Sequence, residues 1–288
     1  MMVANIHGRW DASVQGLEKD YASWFEFTDE GGELRGRFVG IEGSARPMTE
    51  ARYQGDELYF RLPPQYERHE GDLVFRGRLV DGLIEGETND EEENWIGFTA
   101  VPAPSLGYRE GVEWGEPGDL IQGGLDNWEL RYPEGPNGWR VEDGVLYNSP
   151  PSVDLVTKDM FNDFTLHAEF RIPEGGNSGV YLRGRYEVQI VDDHHRDPDP
   201  RTTGSVYGYL APSRKMTKPP GEWNTYDITL VGRWVTLVFN GETVIENQEI
   251  PGLTGGALDS REGEPGPLML QGDHKAVEYR NLVIRRSV

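Results

Sequence analysis

The sequence predicts an all-β protein with two domains, a small antiparallel β-barrel followed by a two-sheet β-sandwich. Apolar and polar residues alternate with a period of two through most of the chain, as they do on half-buried strands. Almost no stretch shows the 3.6-residue apolar period of an amphipathic helix. Gly-Gly, Gly-Asp, Asp-Gly and Asn-Gly pairs separate the alternating segments, and such pairs are typical of turns between antiparallel strands.

The N-terminal domain is predicted to span residues 1–100 as an up-and-down barrel. Seven short alternating segments follow one another, at 8–14, 21–28, 33–41, 57–62, 72–80, 83–89 and 95–101. Closing a meander of this kind into a barrel removes its exposed sheet edges.

Residues 101–118, rich in Pro and Gly and without periodicity, are predicted to be a linker. Strand patterns then resume and continue to the end of the chain, so residues 119–288 are predicted to form the sandwich. Within them "VFNGETV", at 238–244, places Asn-Gly between two strand-like runs. This is the strongest short signal for a hairpin.

Composition excludes several classes of function. The 288 residues carry a formal net charge of -22, which opposes binding to nucleic acid or to an anionic membrane. The chain has no cysteine, so disulfides, thiolate metal sites and cysteine nucleophiles are excluded. The acidic surface, with only five lysines, is equally typical of proteins from salty habitats.

The sequence also carries an expectation about compartment. No apolar run approaches the roughly 20 residues of a membrane-spanning helix. The N-terminus lacks a basic region followed by an apolar core. A cytoplasmic protein is therefore predicted, or a periplasmic or secreted one if a leader has been removed.

The segment "GNSGVYLRGRYEVQIVDDHH", at 176–195, is unusually polar for a structural strand. Glu187 and Gln189 lie two residues apart and must share one face of a strand. "RGRY" is predicted to be a tight hairpin that opposes Arg183 to Tyr186 and Leu182 to Glu187. A single continuous strand is the alternative, and it would place Arg183 on the face of Glu187. The polar face is either a site or a solvated surface.

Several segments of the second domain occur in a characteristic order, namely "DLIQGGLDNWEL", "HAEFRIPEGGNSGVYLRGRYEVQI", "TGSVYG", "PPGEWNTYDITLVG", "FNGETV" and "GPLMLQGDHKAVEYRNLVIR". These segments resemble the 3-keto-disaccharide hydrolase family. Together they cover roughly residues 119–288 in the family's order. The resemblance implies a concanavalin A-like jelly-roll sandwich. The N-terminal part, with "GRW" and "GSARPM", more loosely resembles the small lipocalin-like barrel often joined to this domain.

The family resemblance implies cleavage of glycosides whose carbon-3 hydroxyl has been oxidised to a ketone. The ketone acidifies the hydrogen on carbon-2, so a base can remove it and form an enolate. Collapse of the enolate expels the group on carbon-1, and addition of water completes a net hydrolysis. Such a site needs a base, an electrophile for the enolate oxygen and a proton donor for the leaving group. The expected partner is therefore a small carbohydrate, and the oligomeric state is left open.

The resemblance and the residue pattern together nominate nine site residues. The predicted catalytic residues are Glu187, His274 and Asp192. The predicted substrate-binding residues are Glu169, Asn177, Arg183, Gln189, Trp223 and Lys218, with Lys215 as a further candidate electrophile. Lys275 stands beside His274 where glycine is expected in many relatives, so the shape of this loop is open.

A divalent metal ion is an open candidate for the electrophile, and no organic cofactor is predicted. Asp192 and His274 are the candidate ligands. The loop "DDHHRDPDPR" also contains four aspartates and two histidines. Because adjacent histidines on an extended chain point apart, an exposed acidic loop is the expectation there, with a hard-cation site as the alternative.

Two other functions are open. Laminarinase-type β-glucanases carry Glu-x-Asp-x-x-Glu on a strand of a similar fold, and here the comparable residues are Glu187, Gln189 and Asp192. The amide and the shorter last side chain disfavour ordinary retaining hydrolysis. The second alternative is a non-catalytic carbohydrate-binding module, which needs stacking aromatic rings such as Trp223 but no acid–base pair.

Overall fold

The computed structural model describes residues 5–16, 19–68 and 70–288. The first four residues of the N-terminus, on which the expectation about a leader partly rests, lie outside the described residues. The described part of the chain contains twenty-two strands and no helix, which confirms the predicted all-β class. Accordingly, none of its elements is a helix of the length and apolarity needed to cross a membrane.

The chain divides into two compact units. The first comprises residues 1–105 and 252–263, and the second comprises residues 106–251 and 264–288. A late segment, 252–263, thus belongs with the N-terminal unit although it follows most of the second unit in sequence. That residues 101–118 act as a linker stays a prediction.

The N-terminal unit is one antiparallel sheet curled around an apolar core. Its nine strands lie in the order β4-β3-β2-β1-β9-β8-β7-β6-β5. The strands are β1 (Gly8–Val14), β2 (Tyr21–Glu30), β3 (Glu33–Val39), β4 (Arg46–Pro47), β5 (Glu50–Gln54), β6 (Glu57–Leu62), β7 (Leu73–Val80), β8 (Leu83–Asn89) and β9 (Trp95–Pro102). No ladder joins the edge strands β4 and β5 within the described residues, so hydrogen-bonded closure of the predicted barrel is not confirmed.

Alternation along the strands fills this core with aromatic rings. On β6, Leu58, Phe60 and Leu62 are at most 3% exposed, and the residues between them point away. Phe60 stacks on Phe75 of β7 with ring centroids 4.4 Å apart. The late segment contributes Gly252, where a Cβ would lie 2.2 Å from the indole nitrogen of the buried Trp24. Only glycine allows this approach.

The second unit is a sandwich of two antiparallel sheets. The larger contains β12 (Trp139–Glu142), β13 (Val145–Asn148), β22 (Val277–Arg286), β15 (Phe164–Arg171), β18 (Asn224–Val231), β19 (Trp234–Phe239) and β20 (Glu242–Glu249) in that order, with β10 (Gly118–Asp119) paired to β22. The smaller has the order β11 (Trp128–Leu130), β14 (Leu155–Phe161), β21 (Gly266–Leu270), β16 (Asn177–Leu182) and β17 (Tyr186–Val191).

The inner faces of the two sheets form the core of this unit. Phe170 on β15 packs against Tyr226 on β18, with ring centroids 4.6 Å apart. The Tyr226 hydroxyl donates across the core to the Gln189 carbonyl on β17, at 2.6 Å. The Ser178 and Tyr279 hydroxyls form a second bridge between the sheets, at 2.9 Å. On both sheets, every second side chain along a strand therefore points into the core, and the side chains between them point away from it.

The β16–β17 hairpin exists as predicted, but its predicted register was wrong. Leu182 pairs with Tyr186, and Tyr181 pairs with Glu187. The loop has three residues instead of two, with Arg183 at φ 52° and Gly184 at φ 66°. Two successive residues in the left-handed region lengthen the turn and shift the register by one residue.

Candidate active site

A row of polar side chains crosses the outer face of the five-stranded sheet. Directly opposed residues of an antiparallel ladder share one face. Tyr181 is opposed to Glu187 on one side and to Met269 on the other, and Gly179 is opposed to Gln189. Because Ser178, next to Gly179 on β16, reaches into the core, this row points away from the core.

Glu187 is the buried centre of the row. Its side chain belongs to a residue only 4% exposed, and burial raises the pKa of its carboxyl to about 8 even though Tyr181 donates a hydrogen bond to it. A Cβ added to Gly179 would lie 2.4 Å from its Oε1. The carboxyl therefore rests on the bare backbone of the neighbouring strand.

A histidine–carboxylate pair lies on the loop that follows β21. His274 and Asp273 hydrogen-bond at 2.5 Å, and both side chains are about half exposed. The hydrogen bond to Asp273 raises the pKa of His274. Charge on His274 in turn favours ionisation of Glu187. The buried Glu187 carboxyl and the more exposed His274 imidazolium therefore interact electrostatically at one site.

An ion pair completes the charged cluster. Arg131 donates to Asp154 at 2.9 Å, and Asp154 also accepts from the Gly272 backbone at 3.0 Å. Burial and the nearby charge of Asp273 raise the pKa of Asp154. We call Arg131, Asp154, Tyr181, Glu187, Asp273 and His274 the carboxylate cluster.

Two amide side chains beside the cluster carry unused acceptors. The buried side-chain oxygens of Asn177 and Gln271 accept no hydrogen bond from any described residue. Asn177 is opposed to Val191, two residues along from Gln189, and the Gln271 backbone amide donates to the Gly179 carbonyl at 2.9 Å. Unpaired buried acceptors are costly.

Comparison with known proteins identifies the domain that holds this cluster. Residues 117–285 match the family of 3-keto-alpha-glucoside-1,2-lyase-like domains, over more than half of the chain. The chain belongs to that family. This confirms the family predicted from the sequence motifs.

Relatives of the lyase-like domain agree with the assignment. A 3-keto-disaccharide hydrolase of Bacteroides thetaiotaomicron is 26% identical, over 38% of this chain and 50% of the relative. The matched region thus spans half the length of that curated relative.

Solved structures support the fold of the lyase-like domain. A candidate glycosyl hydrolase from Parabacteroides distasonis ATCC 8503 is similar at a TM-score of 0.51 and 28% identity, over 65% of this chain and 93% of that one. A second from the same organism has a TM-score of 0.50 and 23% identity, with coverages of 60% and 94%. These likenesses agree with the jelly-roll class.

Of the predicted residues in the lyase-like domain, Glu187, Gln189, Asn177 and His274 come together. Gln189 is 7% exposed, and its side-chain oxygen accepts from the backbone amide of Ile190 at 2.8 Å. A segment of residues 204–207 pairs along β17 through the Gln189 and Glu187 backbones. It covers the edge of the strand that carries both side chains.

Arg183 and Asp192 make other contacts. The Arg183 guanidinium donates to the Tyr186 hydroxyl and the Gly232 carbonyl, both at 3.0 Å. Because Tyr186 lies on the core face, Arg183 is on the opposite side of the hairpin from Glu187. Asp192 accepts from the Gly175 backbone amide at 2.9 Å and bonds His194 at 2.9 Å.

Glu169, Trp223 and Lys218 lie with the other sheet. Glu169 pairs with Arg280 at 2.6 Å on the outer face of the eight-stranded sheet, and Arg280 lies 4.1 Å from the Trp223 ring centroid. Lys218 donates to the Trp223 carbonyl at 2.7 Å. The core separates these three residues from the carboxylate cluster.

The described residues do not form a ready metal centre in the lyase-like domain. No group of three or more His, Asp or Glu side chains among them is arranged to hold one ion. Asp192 and His274, the candidate ligands, each bond a different neighbour. We therefore derive no chemical step through a metal.

Sequence reasoning missed Tyr181, Arg131, Asp154, Asp273 and Gln271. Asp273 and Gln271 flank His274 in the quoted motif, so proximity to a nominated residue was a usable signal. Tyr181 was hidden by the wrong hairpin register. Arg131 and Asp154 meet the others only through the strand order of the sheet, which no local pattern reports.

Proposed function

We propose that this chain cleaves the glycosidic bond of 3-keto-glycosides by elimination and hydration. The observation that carries the proposal is the buried Glu187 carboxyl, with a pKa of about 8, beside the His274–Asp273 pair. A general base works best when its pKa lies near the working pH. Family membership supports the substrate class.

Glu187 removes the proton from carbon-2 in this scheme. The electron pair of the C–H bond forms a double bond between carbon-2 and carbon-3, and the ketone becomes an enolate. Gly179 leaves room for the carboxyl to lie flat on the sheet. Tyr181, opposed to Glu187, holds the carboxyl by its hydroxyl.

His274 protonates the leaving oxygen. The enolate re-forms the ketone, a double bond forms between carbon-1 and carbon-2, and the bond from carbon-1 to the leaving oxygen breaks. Asp273 keeps the imidazole protonated, because its hydrogen bond raises the pKa of His274. Water then adds its oxygen to carbon-1 and a proton to carbon-2, which gives the free 3-keto sugar.

Arg131 is the permanently charged cation of the carboxylate cluster and the proposed electrostatic partner of the enolate. It is paired with Asp154, and its charge also favours ionisation of Tyr181 and Asp273. The free acceptors of Asn177 and Gln271 are proposed to bind sugar hydroxyls.

A matched pair of substrates tests the proposal. One glycoside is assayed before and after oxidation at carbon-3, and cleavage is expected only after oxidation. Run in D2O, the elimination route places deuterium on carbon-2 of the product, above the level of an enzyme-free control with the same 3-keto sugar. Equal cleavage of both substrates without deuterium uptake would point to ordinary hydrolysis. Sugar binding without any cleavage would favour a carbohydrate-binding module.

The divalent metal predicted from the sequence is tested separately. Elemental analysis of the purified protein and assay after chelation are the measurements. Loss of turnover on chelation, restored by added metal, is the outcome that the prediction requires. Full turnover of metal-free protein would assign the electrophile to Arg131.

A further inference from the structure

A second concave surface lies on the N-terminal unit. It is an open groove of about 780 Å³ on the nine-stranded sheet, within the size range of small-molecule sites. Its walls come from the five strands β5 to β9, and its lining includes the backbone of Gly77, Gly86 and Gly97. We call it the barrel groove.

Two flat aromatic rings line the barrel groove. Trp95 is 43% exposed, and the Arg76 guanidinium lies 4.3 Å from its ring centroid. Tyr59 has Arg52 at 4.4 Å in the same arrangement. A guanidinium packed on a ring holds the ring's orientation. The exposed Trp95 and the partly exposed Tyr59, held in this way, offer flat apolar surfaces beside polar groups.

The charges of the barrel groove balance although the whole chain is acidic. Its lining contains three arginines and three glutamates, namely Arg52, Arg76, Arg78, Glu57, Glu85 and Glu87. Within the described residues, the side chains of Glu85 and Glu87 form no hydrogen bond or ion pair, and the Arg76 side chain has only its ring contact with Trp95. The groove thus keeps unused donors and acceptors in an environment close to neutral.

We propose that the barrel groove binds a neutral oligosaccharide. Pyranose rings present C–H faces that stack on Trp and Tyr, and their edges carry hydroxyls that pair with carboxylates and guanidinium groups. Because three arginines and three glutamates balance in the lining, the groove offers no net positive charge to attract a phosphate or an anionic polymer. The proposal goes beyond the elimination chemistry and does not depend on it, because none of the groove residues belongs to the carboxylate cluster.

Calorimetric titration tests the barrel groove with defined probes. The protein is the full chain carrying Glu187→Gln, so that no sugar is turned over, and the probes are maltotriose, cellotriose and laminaritriose. At least one is expected to bind, and Trp95→Ala and Tyr59→Ala are each expected to weaken that binding about tenfold or more, or about 1.4 kcal/mol. Tyr66→Ala, which removes a 55% exposed tyrosine outside the groove, is the matched control and leaves binding unchanged.

Other outcomes overturn the proposal. Binding of none of the three sugars would do so, as would binding that Trp95→Ala and Tyr59→Ala leave intact. Tighter binding of trigalacturonate than of any neutral probe would show an anion site. A dimer that Trp95→Ala dissociates, without sugar binding, would assign the groove to a second copy of the chain. Because Glu87 is exposed, the Glu87→Ala variant can replace an aromatic variant that does not fold, and the test remains valid.

Discussion

Glu187 combines a titratable carboxyl group with almost complete burial. Removing a carboxylate from water is unfavourable. The neighbours of this one include the Tyr181 hydroxyl and the bare backbone of Gly179. Burial of this kind destabilises the fold and makes the Glu187 carboxylate a stronger base.

Replacing Glu187 by glutamine is expected to lower turnover of a 3-keto-glycoside by about 100- to 10,000-fold, because loss of a positioned base has an effect of this size. Steady-state kinetics on the oxidised glycoside measure it. Glu169→Gln is the matched control, since Glu169 lies on the other sheet with Arg280. Equal losses in the two variants would contradict the assignment of Glu187.

The pH dependence of stability should also reflect the burial of the Glu187 carboxyl. The pKa of Glu187 rises from 4.5 to about 8 on folding, so the folded protein holds a proton that the unfolded chain releases between these values. The contribution of Glu187 to stability is therefore fully present below pH about 4.5 and is lost as pH rises through 8. The Glu187→Gln variant should gain in melting temperature relative to the parent between pH 5 and pH 9.

Glu169→Gln is the control for this titration. Burial opposes ionisation of Glu169, but its bonds to Asn281 and Arg280 lower the pKa of its carboxyl. Its contribution is lost only as pH falls through that lowered value. No relative change between pH 5 and pH 9 is expected, and a change equal to that of Glu187→Gln would contradict the prediction.

Gly179→Ala should damage the site through geometry alone. The new Cβ would lie 2.4 Å from Glu187 Oε1, so the carboxyl must move. A misplacement of about 1 Å costs about 100-fold in rate, and overpacking costs about 1–3 kcal/mol in stability. Kinetics and denaturant unfolding measure the two effects. Gly107→Ala, where a Cβ meets no atom within 4 Å, should change neither.

At the residue scale, alternation was enough to predict that Glu187 and Gln189 share a face. It could not predict that Tyr181 faces Glu187, because that pairing depends on a turn of three residues. Two consecutive residues with positive φ, Arg183 and Gly184, define this turn. Arginine is not a residue that signals such a conformation in a sequence.

At the scale of elements, β17 is held from two sides. The segment of residues 204–207 pairs along its edge, and Tyr226 reaches it from the opposite sheet. Glu187, the proposed base, thus stands on a strand whose backbone is fixed by a neighbouring segment and by the opposite sheet.

Tyr226→Phe is expected to lower the free energy of unfolding by about 1–3 kcal/mol, because it leaves the buried Gln189 carbonyl without that donor. Chemical denaturation measures the loss. Tyr147→Phe, on a partly exposed tyrosine of β13, is the control and should stay within about 0.5 kcal/mol. A similar loss in both variants would show that the cross-sheet bond has no special role.

Most strands were predictable because their alternation is regular. The segment 8–14 coincides with β1, and 83–89 with β8. Sheet order was not predictable in the same way. β21 lies between β14 and β16 although about 85 residues separate β16 from β21, and local patterns contain no information about such pairing.

At the scale of the whole molecule, net charge opposes compactness. The formal charge of -22 implies repulsion that salt screens over a Debye length of about 10 Å at 0.1 M. The melting temperature is therefore expected to rise between 20 mM and 500 mM NaCl. Calorimetry measures it, with KCl as control, because pure screening does not distinguish the two salts. A fall would mean that ion pairs such as Arg46–Glu67 outweigh the repulsion.

The division of the chain into units could be predicted only in part. The Pro/Gly-rich composition of residues 101–118 predicts a linker. No sequence pattern in residues 252–263 indicates that they belong with the N-terminal unit. That membership depends on close approaches such as Gly252 to Trp24, which exist only after folding.

Residues 252–263 are synthesised late, and this delays completion of the N-terminal unit to which they belong. The first 105 residues leave the ribosome well before residues 252–263, which belong to the same unit. At about 5–20 residues per second, the roughly 160 residues between residue 105 and residue 263 take about 8 to 30 s to translate. During that interval Trp24 lacks its cover, and an N-terminal fragment ending at residue 105 would keep it uncovered permanently. Nascent chains of increasing length should become resistant to protease around Trp24 only once residue 263 has emerged.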